Sequence, residues 1–114
     1  MKTPSPMSDE AAEQALDFLL NNAEAAGVAK ANMTYLENFR KATLARLRRA
    51  APEKTEAGRD AWARAHPEYM EVLKAQTEAI SAHETLFWKR IHAEATIESW
   101  RTRASNNRAA GRMT

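Results

Sequence analysis

Three histidines, fifteen carboxylates and no cysteine are all that this 114-residue chain offers for a metal or acid–base centre. Their spacing serves one badly. His83 and His92 are nine apart, which turns a helix through about 900° and puts the two imidazoles on opposite faces. His66 precedes Pro67 and reads as a turn residue. No H-E-x-x-H occurs. A carboxylate centre inside a helical bundle uses Glu-x-x-His, but Glu84 is followed three residues on by Phe87 and Glu94 by Ile97. The sequence has no nucleophile elbow, no Gly-rich phosphate loop and no kinase or deaminase signature. It therefore reads as non-enzymatic, with no metal and no cofactor.

A second chemistry is better represented. Trp88 precedes Lys89 and Arg90, and Trp100 precedes Arg101. Arg103, Arg108 and Arg112 follow, with Asn106 and Asn107 between them and no acid after Glu98. Aromatic rings interleaved with cations can stack bases and hold phosphates. The candidate contacts to nucleic acid or a protein partner are Trp88, Lys89, Arg90, Trp100, Arg101, Arg103, Arg108 and Arg112. A plainer reading stands beside this one. Trp100 packs on the first helix, Trp62 plugs a short helix onto a hairpin, and the arginines favour the negative end of a helix dipole.

Helices must position these residues. Ala, Glu, Arg, Leu and Lys dominate, and Gly occurs only three times. No run alternates as a strand would. Residues 1–7 hold two prolines and little to bury, so they are expected to be disordered. Ser8 caps a first helix that carries Asp9 and Glu10 in its opening turn and runs to Ala51-Pro52. Leu19, Ala26, Met33 and Leu47 lie seven or fourteen apart, with Ala15, Ala29 and Leu36 on the neighbouring row and Asn22 and Arg40 interrupting. Gly27 could end this helix, with Thr34 to Glu37 as the capping box of another. The apolar rows stay in phase across it, so one continuous helix is preferred. Thr55 caps a short helix to about Ala65, and Pro67 opens a third that reaches about Ser105. Its apolar rows are Leu73, Ile80, Phe87 and Val72, Ala79, Leu86, Ala93, Trp100, with Ile97 beside the latter. Asn106-Asn107 and Gly111 end it.

The expected architecture is all-α: an antiparallel, coiled-coil-like hairpin of long helices with a short connecting helix, completed into a bundle by self-association. The hairpin spans residues 8–106, and residues 107–114 form a basic flexible tail. Charge supports the antiparallel pairing. Residues 1–35 carry two bases against five acids, and residues 36–54 six against two. Residues 55–84 carry three against six, and residues 85–114 six against two. Each long helix is thus acidic early and basic late. Folding back lays the basic end of the last helix along the acidic start of the first, and Arg40, Lys41, Arg46, Arg48 and Arg49 along Glu68, Glu71 and Glu78. Arg101, Arg103, Arg108 and Arg112 approach or pass the start of helix one, where few acids remain. Phe18, Tyr35, Phe39 and Trp88 are left over for a second surface. No run of about 18 apolar residues could span a membrane, and the start of the chain has no signal-peptide core.

Three stretches carry a resemblance: Ala15 to Leu47, the H-P-E-Y turn from His66 to Tyr69, and the I-x-x-W-R segment from Ile97 to Arg101. Together with what lies between them, covering most of residues 9–110, they resemble small, uncharacterised helical proteins of tailed phages found in recombination and replication gene clusters. Gly27 departs from the continuous first helix of that group. The resemblance implies an accessory in phage DNA metabolism or host takeover, acting in the cytoplasm of a bacterial host, and it implies no catalytic residues. The expected partners are a second copy (a dimer) and a host or phage protein. The alternative is direct DNA binding through the C-terminal arginines.

Overall fold

The computed structural model describes residues 8–112. Among them are three helices and no strand: α1, Asp9–Ala50; α2, Glu56–Ala65; and α3, Pro67–Arg112. Helices α1 and α3 pack together as an all-α helical hairpin. Local chemistry sets the boundaries. Ser8 Oγ accepts the Ala11 amide at 3.1 Å, an N-cap that satisfies one orphan donor of α1. Thr55 Oγ1 does the same for the Gly58 amide at 3.0 Å. Added to Gly58, a Cβ would lie 2.9 Å from that oxygen and 3.1 Å from Glu53 Cβ, so glycine permits the tight cap. His66 is the hinge between α2 and α3. Its ψ of 135° is the extended conformation that a following proline imposes. Its amide closes α2 on the Ala63 carbonyl, while its Nδ1 accepts the Glu68 amide at 3.1 Å and so caps α3.

Gly27 lies inside α1, which is unbroken across it. α3 likewise continues through Asn106, Asn107 and Gly111 to Arg112, beyond the expected stop. Residues 107–112 are therefore helix, not an irregular tail. Two asparagines cost a helix only tenths of a kcal/mol each, and no proline or left-handed glycine is there to end it. The disorder expected for residues 1–7 falls outside the described residues.

The chain divides into two compact units. The turn unit is Gly27–Glu84. Its core is a cluster of Leu44, Leu47, Ala63 and Tyr69, with Trp62 of α2 packed against it. Val72 and Ala79 are also buried. The Tyr69 hydroxyl accepts from Arg40 and Arg64 at 3.4 and 3.5 Å, which explains how arginine is tolerated on the apolar row of α1. The terminal unit pairs the start of α1 with the end of α3 and is described for residues 8–26 and 85–112. Its buried residues are small: Ala11, Ala15, Ala93 and Thr96. Phe18, Leu19, Leu86, Ile97 and Trp100 are half-buried. Asn22, the other interruption, is half-buried and donates to the Phe18 carbonyl at 3.0 Å. Of the two apolar rows expected on α3, only the one holding Val72, Ala79 and Ala93 is buried; Leu73 and Ile80 are exposed.

Candidate interaction surfaces

In the turn unit the charges pair only partly as their order along the chain implied. Arg46 meets Glu68, but Lys41 pairs within its own helix with Glu37 at 3.5 Å. Arg48 turns to Asp60 of α2. Arg64, four residues on from Asp60, also donates to it, at 2.8 Å. The hydrogen bond from Arg48, seconded by that from Arg64, holds the Asp60 carboxyl below its ordinary value of 3.8, and Asp60 in turn raises Arg64. Arg59 Nε ties the turn by donating to the Glu53 carbonyl at 2.9 Å. Arg48, Arg49, Glu56, Arg59 and Asp60 line a groove of about 380 Å³. Sequence reasoning passed over this corner because its geometry depends on α2 folding back onto α1; only the Asp60–Arg64 spacing hinted at it. Tyr35 and Phe39, stacked on each other at 5.9 Å, stand exposed on the same unit.

The eight expected contact residues all belong to the terminal unit, but they do not form one site. Trp88 is 62% exposed and meets Phe87 edge-on at 5.3 Å. Lys89 is exposed. Arg90 lies 5.3 Å over the Phe87 ring and 3.8 Å from Glu94. Trp100, twelve residues further on and so about 18 Å along the helix, is only half-exposed and donates its indole N–H to Asp9 at 2.6 Å. That bond favours the packing reading of Trp100 over base stacking. Arg101 is not without an acid: it pairs with Glu98 at 3.7 Å, one turn back on its own helix. Arg103 shares a groove of about 340 Å³ with Ser8, Asp9, Trp100, Ala104 and Asn107. Arg108 and Arg112 are exposed. Among the described residues Arg103, Arg108 and Arg112 form no ion pair.

The large apolar side chains of this unit point the wrong way for a self-sufficient pair. Leu16 is 52% exposed and Leu20 70%, and Ile91 is exposed beside Trp88. A further groove of about 220 Å³ is lined mainly by Phe18, Leu19, Ala23, Ala26 and Leu86, with Asn22 and Arg90 as its polar members. Among the described residues no group of three His, Cys, Asp or Glu could hold a metal ion, and no helix is long and apolar enough to cross a membrane.

No protein-family model, curated protein or solved structure matches this chain.

Proposed function

We propose that this chain is a non-catalytic assembly protein: a helical hairpin that associates with a second copy of itself and docks on a host or phage protein. The phage gene-cluster resemblance supplies the setting, DNA recombination, replication or host takeover in the cytoplasm of a bacterial host. One observation carries the reading. Small residues fill the inside of the terminal unit while Leu16, Leu20, Trp88 and Ile91 stand outside it. A buried alanine methyl is worth about 0.8 kcal/mol, whereas a fully buried Leu side chain is worth about 1.5–3 kcal/mol. Most of the burial this unit could gain therefore lies on its outer surface, to be realised by another chain. Association makes the thermal midpoint depend on protein concentration. The test is calorimetry over a wide dilution series. A midpoint that climbs with concentration is expected, and one that stays fixed would overturn the proposal.

A second reading, direct DNA binding, is favoured by Arg103, Arg108 and Arg112, which are exposed and form no ion pair among the described residues. Three phosphate contacts would give a log-affinity slope against log salt of roughly −2 on single strands. Replacing all three by Gln removes that slope if the reading holds; unchanged affinity and slope dismiss it.

A further inference from the structure

The terminal unit leaves opposite charges unused on its two helices. Residues 9–26 of α1 hold Asp9, Glu10, Glu13, Asp17 and Glu24 with no base. Residues 85–112 of α3 hold six bases against Glu94 and Glu98. Yet the ion pairs of this unit, Arg90–Glu94 and Arg101–Glu98, both lie within α3. Among the described residues Glu10, Glu13, Asp17 and Glu24 form none, and the side-chain bond that links the helices is Trp100 to Asp9.

The unpartnered apolar side chains also share a place. Leu16, Leu20 and Ala23, four and three apart, make one row of α1 beside its buried row. Phe87 and Ile91 make the equivalent row of α3, next to Leu86 and Ala93. In an antiparallel pair, equivalent rows flanking the seam project from the same side. That side therefore carries Leu16 and Leu20 with Phe87 and Ile91. Ala23 belongs both to this row and to the lining of the 220 Å³ groove, so knobs and a hollow adjoin.

We infer that this face of the terminal unit docks on the same face of a second copy, α1 lying antiparallel against α3 of the partner about a two-fold axis along the helices. The inference rests on the assembly reading and specifies its surface. An isologous contact must be self-complementary, and a face with one acidic helix and one basic helix meets that condition when each helix meets the other's counterpart. The arrangement sets the acids of α1 against Lys89, Arg90 and Arg101 of the partner. It buries Leu20 against the partner's α3. The Asp9–Trp100 bond fixes the register: eleven residues along α1 from Asp9 stands Leu20, level with about residue 90 of α3.

Lacking cysteine, the full chain accepts single thiols cleanly. Leu20→Cys and Ile91→Cys proteins are prepared separately, mixed and treated with a short bismaleimide. Cross-linked dimer is expected from the mixture and not from either variant alone, because the two copies of α1 lie diagonally across the bundle. Leu20→Asp, at a site exposed in the single chain, is expected to weaken dimerisation roughly a hundred-fold with helix content unchanged. A wild-type dimer that fails to cross-link in the mixture, or that tolerates Leu20→Asp, overturns this face while leaving assembly standing. A chain monomeric at every concentration overturns both.

Discussion

Truncating two leucines of α1 separates burial inside one chain from burial between chains. Leu47 is 2% exposed, inside the cluster with Leu44, Ala63 and Tyr69. Leu47→Ala removes its burial and leaves a cavity, at a cost of about 2.7–5 kcal/mol. Leu20 is 70% exposed. Within a single chain less than a third of its burial can be lost, so Leu20→Ala costs below about 1 kcal/mol, partly offset by alanine's better helix propensity. Docking of a second copy would bury the remainder. That adds about 1–2 kcal/mol per copy and about 2–4 kcal/mol per dimer. The assay is urea unfolding of the wild type and both variants at protein concentrations roughly a hundred-fold apart, spanning dimer dissociation. In dilute solution Leu47→Ala is expected to cost several times more than Leu20→Ala. At high concentration the Leu20→Ala cost is expected to grow. A Leu20→Ala cost that stays small at both concentrations, or one matching Leu47→Ala at the dilute end, would refute the reasoning.

Other expectations concern single residues. Gly27→Ala should stabilise the protein by about 0.5–1 kcal/mol, because a Cβ there meets nothing within 4 Å and glycine is the costlier residue inside a helix; thermal melting checks the sign. Gly58→Ala should destabilise despite the same change in propensity, since the new Cβ presses on Thr55 Oγ1; paired melts of the two alanine variants should move in opposite directions. Asp60 is held below its ordinary value of 3.8 by Arg48 and then Arg64, so its contribution is present above that pH and lost as acid protonates the folded carboxyl. Unfolding followed below about pH 4 should therefore show a smaller acid loss in Asp60→Asn than in the wild type.

Much of the fold was written locally. Ser8, Thr55 and Pro67 mark helix starts because caps and a missing amide act within one turn. The row through Leu19, Ala26, Met33 and Leu47 marks the inner face of α1 because a period of seven keeps it pointed one way. Less was legible on α3, where the Leu73–Ile80 and Val72–Ala79 rows repeat equally well and only the packed partner distinguishes them. The end of α3 was misread because Asn106-Asn107 suggests a stop that nothing enforces. Asp60 escaped notice for a different reason. Its spacing shows Arg64, but Arg48 reaches it only after α2 has turned back. Charge order along the chain gave the antiparallel sense correctly and most individual pairs wrongly, since long side chains on exposed surface choose the nearest acid. Of the contact residues, Trp88 and the late arginines were correctly placed at the surface, whereas Trp100 belongs to the helix pair.

Self-association is tested most directly by the mass in solution, measured by light scattering behind size exclusion on the full wild-type chain. Twice the 12.8 kDa chain mass at micromolar concentration, falling toward the single-chain value on dilution, is expected. A particle of 12.8 kDa throughout would contradict the claim that the outer apolar face of the terminal unit is covered by a second copy.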